Sequence, residues 1–91
     1  MIVGYSKYFD KKIEKLKGNL AKKRLNSLIE KLKEAKTLWE IPHVVPVEGA
    51  IGLYRIRTGD YRLFVEYFDG EIVILLIDYR RRNEKTYKGL N

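Results

Sequence analysis

Ninety-one residues, 45% of them hydrophobic and 34% charged, describe one small globular domain over 1–91. Nineteen Lys and Arg against twelve Asp and Glu leave a net charge of +7, which points to a polyanionic partner. The absence of cysteine excludes disulfides, a thiolate nucleophile and Cys-type metal sites, and one histidine excludes a His-rich metal centre, so no metal and no cofactor is expected.

The chain opens on a short predicted strand, Ile2-Val3-Gly4-Tyr5. Ser6 then caps a helix in which Phe9, Ile13 and Leu16 recur at i, i+4 and i+7. Gly18-Asn19 stops that helix, and a longer one follows with Leu25, Leu28, Ile29, Leu32, Ala35 and Trp39 on one stripe. Trp39 is thereby expected in the core. The two helices form an αα-hairpin that must lay its apolar stripe on something. Pro42 and Pro46 bracket a loop, with His43 on its surface, that runs through Glu48-Gly49 to about Gly52. From there the period switches to two, and strands are predicted at about 53–57, 61–68 and 71–79. Their turns are Thr58-Gly59-Asp60 and Asp69-Gly70, the latter a type I′ signal. The order β-α-α-β-β-β predicts an α+β fold: two N-terminal helices packed on a mainly antiparallel four-stranded sheet. No apolar run nears the ~20 residues of a membrane span and no signal peptide is visible, so a soluble, cytoplasmic protein is expected.

Charge is unevenly distributed. Residues 1–40 carry a net +6, residues 41–78 a net −3 and residues 79–91 a net +4. Ten of the twelve lysines precede residue 37, whereas six of the seven arginines follow residue 54. Lysines on a helix are ordinary solvation individually, and together they add salt-sensitive attraction to a polyanion. Arginines on strands suggest oriented, bidentate phosphate contacts.

The hydrophobic pattern also predicts register. A two-residue Asp69-Gly70 turn pairs Leu63 with Leu76 and Val65 with Ile74, one apolar face for the helices. The opposite face then carries Arg62, Phe64, Glu66, Val73, Leu75, Ile77 and Tyr79. A two-residue Gly59-Asp60 turn pairs Ile56 with Leu63 and Tyr54 with Val65, and a one-residue slip would bury Arg55 and Arg57 instead. Arg55, Arg57 and Arg62 therefore emerge together away from the helices, with Arg81 following if the last strand continues. Two readings of that face stand at this point. It is a solvated surface that uses Asp60, Glu66 and Glu71 as charge partners, or a phosphate site with Phe64 and Tyr79 available for base stacking.

The stretch Leu53-Tyr54-Arg55-Ile56-Arg57-Thr58-Gly59-Asp60-Tyr61-Arg62-Leu63 resembles the core of the RelE/ParE toxin superfamily. Val47-Glu48-Gly49 resembles that family's L-x-G loop. Phe9-Asp10-Lys11 with Leu16 is similar to its first helix, and Arg80-Arg81-Arg82 followed by Tyr87 is similar to its ending. The resemblance implies a toxin of a toxin–antitoxin pair, with a small acidic antitoxin that folds on binding and a possible hetero-oligomer. RelE-type members are ribosome-dependent endoribonucleases that cut translated mRNA. ParE-type members poison DNA gyrase and lack the full basic-plus-tyrosine set.

On the RelE-type pattern the catalytic residues would be Arg62, Arg81 and Tyr87. Phosphate and RNA would be bound by Arg55, Arg57, Arg80, Arg82 and Lys85. Metal-free cleavage needs a base for the 2′-OH, charge for the phosphorane and a proton donor for the 5′-oxygen. Arg62 and Arg81 suit the second task. Tyr87 is the member of the set that exchanges a proton most readily, its phenol pulled down by neighbouring arginines, although a tyrosine so placed can also simply staple the tail to the core. The best-known family pattern has lysines where this chain has Arg55 and Arg57, and arginine does not deprotonate, so both are assigned to phosphate binding. Three functions are carried forward: ribosome-dependent ribonuclease, gyrase inhibitor, and a catalytically inactive basic RNA-binding remnant.

Overall fold

The computed structural model describes residues 1–16 and 18–79. In chain order it contains β1 (Ile2–Tyr5), α1 (Lys7–Glu14), α2 (Asn19–Glu34), a 3-10 turn (Leu38–Glu40), β2 (Val44–Pro46), β3 (Leu53–Thr58), β4 (Tyr61–Phe68) and β5 (Glu71–Tyr79). The fold is α+β with both helices preceding most of the sheet, as the pattern predicts. The sheet has five strands, not four, in the order β1-β5-β4-β3-β2. The extra strand is Val44–Pro46, read from sequence as part of a Pro-bracketed loop. It pairs antiparallel with β3, Val45 opposite Arg55, and it lies at the sheet edge, where a proline is tolerated because no ladder donor is needed on the open side.

Local chemistry explains the boundaries. Ser6 Oγ accepts from the Phe9 amide at 3.0 Å and so caps α1. Helix α2 stops at Glu34 rather than running on to Trp39, because Ala35 turns extended (ψ 148°). The amides of Lys36 and Thr37 then donate to the Glu40 carboxylate at 3.0 and 3.2 Å, an alternative to helical bonding. Trp39 consequently sits on the 3-10 turn, 60% exposed, and Leu38 takes the buried place beside it. The expected core role of Trp39 is thus corrected. Its ring meets Tyr54 and Tyr67 edge-on, at 5.2 and 6.0 Å between centroids, in an aromatic cluster at the margin of the core.

The core lies between the helices and one sheet face. Phe9, Leu25, Leu28, Ile29, Leu32 and Leu38 pack over Ile56, Leu63, Val65, Ile72, Ile74 and Ile77. No charged or polar side chain is buried among the described residues. Asp69 and Gly70 both adopt positive φ (48° and 77°), as a type I′ hairpin turn requires.

The predicted β3–β4 register holds, with Ile56 opposite Leu63 and Tyr54 opposite Val65. The β4–β5 register does not hold throughout. Val65 pairs with Ile74 as expected, but Leu63 pairs with Ile77, not Leu76, because the ladder shifts by one residue between Phe64 and Val65. Leu75 is the extra residue, a β-bulge. The bulge is held in place by Ser6, whose hydroxyl donates to the Leu75 carbonyl while the Ser6 amide donates to the Ile74 carbonyl at 2.9 Å. Ile77, expected on the face away from the helices, is therefore buried in the core, and position 79 is paired with Tyr61.

Candidate phosphate-binding face

Beyond the bulge, the outer face of the sheet carries two rows of side chains at its basic end. One row runs Val45, Arg55, Phe64 and Leu76 across β2, β3, β4 and β5. The next runs Arg57, Arg62 and Asp78 across β3, β4 and β5. Arg55, Arg57 and Arg62 thus share one face. Arg57 and Arg62 are direct cross-strand partners, an arrangement of like charges that is destabilising unless something negative lies nearby.

For Arg62 that negative group belongs to the protein. Its Nη2 donates to Asp78 Oδ2 in an ion pair, and its guanidinium carbon stands 5.9 Å from the centre of the Phe64 ring. The side chain is only 24% exposed, and its Nε is buried without a hydrogen-bond partner. Arg62 is therefore a held guanidinium, clamped at one nitrogen by a carboxylate and lying near an aromatic ring. Phe64, which the alternation offered as a base-stacking platform, is here a neighbour of that guanidinium.

Asp60, Glu66 and Glu71, the expected counter-charges, make no ion pair with these arginines; among the described residues the pairs are Arg62–Asp78 and Lys33–Glu30. Asp78 is the residue that sequence reasoning missed. Without the bulge, strict alternation puts it on the helix side, and nothing in Ile74-Leu75-Leu76-Ile77 marks which leucine is skipped. Arg57 is exposed and Arg55 half-buried, and neither has an ion-pair partner among the described residues. Arg80, Arg81, Arg82, Lys85 and Tyr87 lie outside the described residues.

A helical hairpin on a twisted sheet with arginines on its open face defines a class, and the comparisons agree with it. Residues 3–84 match the model of the ParE toxin of the type II toxin–antitoxin system, parDE. The chain belongs to this toxin family, within the RelE/ParE superfamily. Among solved structures it is similar to the RelB–RelE antitoxin–toxin complex from Methanococcus jannaschii (22% identity, 97% of this chain and 99% of that one, TM-score 0.73). It is also similar to the archaeal RelE–RelB complex from Pyrococcus horikoshii OT3 (27%, 89% and 96%, TM-score 0.68). The isolated E. coli RelE toxin shares the fold at 16% identity (98% and 94%, TM-score 0.66). No curated protein matches the chain significantly in sequence.

Proposed function

We propose that this RelE/ParE-family toxin is a metal-free endoribonuclease that cuts translated mRNA on the ribosome. In this reading a 2′-oxygen gives up its proton and attacks the adjacent phosphate, the bond from phosphorus to the 5′-oxygen breaks, and that oxygen takes a proton, leaving a 2′,3′-cyclic phosphate and a 5′-hydroxyl. The observation that carries it is the Arg57–Arg62 cross-strand pair with Arg55 in the neighbouring row, three guanidiniums on one open face. A face of this kind attracts the backbone of RNA and meets developing phosphorane charge with preformed donors. Arg62 is the donor best prepared for that task, since Asp78 and Phe64 already fix its plane. Arg55 and Arg57 bind flanking phosphates. Arg81 and Tyr87 complete the set as charge stabiliser and proton-transfer group, and Arg80, Arg82 and Lys85 add phosphate contacts. The same surface suits an acidic antitoxin segment that folds as it binds, a reading supported by the antitoxin–toxin complexes among the similar structures.

The test is primer extension on mRNA translated in a purified system, with and without the toxin. Cuts within codons, dependent on ribosomes, support the reading; intact mRNA overturns it. A second reading, a gyrase poison, is favoured by the match to the ParE toxin model. It predicts intact mRNA together with loss of DNA supercoiling in a gyrase assay.

A further inference from the structure

A second concentration of positive charge lies off the sheet face, between α2 and the β3–β4 turn. A cleft of about 330 Å³ is lined there by Arg24, Ser27, Lys31, His43, Arg57 and Thr58, among others. Arg24, Ser27 and Lys31 stand at i, i+3 and i+7 on α2, so they project from one side of the helix. Arg57 and Thr58 come from the end of β3, and His43 from the loop before β2, where its carbonyl accepts from the Arg57 amide at 3.4 Å. Leu28 and Pro42 supply apolar lining.

Three features make this cleft more than a solvated helix face. Among the described residues no carboxylate lines it; Asp60 lines a neighbouring cleft that also includes Arg24 and forms no ion pair with it. Among the described residues Arg24, Lys31 and Arg57 have no ion-pair partner, so the cationic residues that line the cleft are uncompensated. The turn is also shaped around one of them. Gly59 has φ +60°, and a Cβ at that position would lie 2.7 Å from an Arg24 guanidinium nitrogen. The missing side chain is what lets the guanidinium rest against the turn, in the cleft that Ser27 and Thr58 also line.

We propose that this cleft is a second phosphate subsite, which holds a backbone phosphate of RNA by Arg24, Lys31 and Arg57 with hydroxyl donors from Ser27 and Thr58. The ligand's identity as RNA rests on the function proposed above; the cleft's anion chemistry does not. Arg57 belongs to both places, since it is the cross-strand partner of Arg62 and also lines the cleft. The cleft therefore continues the sheet face around the end of β3, and an RNA strand crossing the face passes into it. A guanidinium fork and an ammonium together suit a tetrahedral dianion or a bridging diester, with water free to complete the shell.

The experiment measures binding of a single-stranded RNA oligonucleotide to the full chain by fluorescence anisotropy over a range of salt. Arg24→Gln and Lys31→Gln are each expected to flatten the slope of log affinity against log salt by about 0.7 and to weaken binding. Lys22→Gln removes an equal charge from the same helix outside the cleft and is expected to change the slope far less. Gly59→Asn keeps every charge, uses a residue that tolerates left-handed backbone, and displaces Arg24; weaker binding is expected. If the cleft variants match Lys22→Gln while Arg62→Gln weakens binding, the subsite is wrong and the sheet-face reading stands. If the cleft variants weaken binding and Arg62→Gln does not, the subsite holds and the sheet-face reading falls. In a parallel NMR titration with inorganic phosphate, shifts at the Thr58 and Gly59 amides that Arg24→Gln abolishes support the cleft as an anion site. Unmoved amides overturn it.

Discussion

Arg62 and Asp78 face each other across β4 and β5 only because Leu75 drops out of the ladder between them. The ion pair is thus a product of a backbone irregularity, and that irregularity is fastened by Ser6, the residue that also caps α1. One hydroxyl links a helix start, a bulge and the orientation of the best-held arginine on the outer face.

Ser6→Ala removes both bonds of that hydroxyl. The lost cap costs about 1 kcal/mol, and the part-buried Leu75 carbonyl loses a partner worth roughly as much again. Urea unfolding is expected to show about 2 kcal/mol of destabilisation. A change below a few tenths of a kcal/mol would mean the hydroxyl supports neither feature.

Asp78→Asn keeps the shape of the partner and removes its charge. The pair is partly exposed, so stability is expected to fall by less than about 1 kcal/mol. RNA affinity is expected to rise, because Arg62 no longer has a carboxylate to leave and the face gains a positive charge. Weaker RNA binding in a folded Asp78→Asn protein would contradict the placement of RNA on this face.

Arg62→Ala, Arg81→Ala and Tyr87→Phe are each expected to slow single-turnover cleavage far more than they weaken ribosome binding. Charge that appears only in the transition state is stabilised without ground-state affinity, and loss of one such donor costs on the order of 100–1,000-fold. Arg55→Lys is expected to be mild, since a phosphate contact survives as a point charge. The measurement is rate at saturating ribosome. Full activity in Tyr87→Phe removes the phenol from proton transfer.

The single tryptophan provides a spectroscopic check on the fold. With Trp39 60% exposed, its native emission is expected near that of solvated indole and open to quenching by iodide. Blue-shifted, quencher-resistant emission would mean the 3-10 turn is packed more deeply than described.

How far the sequence reaches is clearest at the two hairpins. Gly59-Asp60 and Asp69-Gly70 are local chemistry: backbone with φ > 0 is needed, and it falls at Gly59, Asp69 and Gly70, residue types that tolerate it, so both turns and the β3–β4 register were legible. The bulge was not. Ile74-Leu75-Leu76-Ile77 is apolar throughout, so alternation carries no information on which residue is skipped, and the decision falls to a hydroxyl far away in the chain. The same kind of gap hid β2, whose three residues pair with β3 but carry no period of their own. Trp39 was misplaced because a 3.6-residue stripe continues on paper past Glu34, while the Glu40 carboxylate recruits the amides that would have extended the helix.

The parallel pairing of β1 with β5 has a consequence for the life of the nascent chain. Ile2 to Tyr5 find their mates only at Glu71 to Ile74, and the Ser6 amide also waits for β5. Both fasten residues from opposite ends of the described chain, the kind of long-range closure that is entropically costly and slow to form. A polypeptide interrupted before β5 has no partner for its first strand, no acceptor for the Ser6 amide and no Asp78 for Arg62. Synthesis itself thereby delays assembly of the toxin: its arginine-bearing face comes together only after nearly the whole described chain has been made.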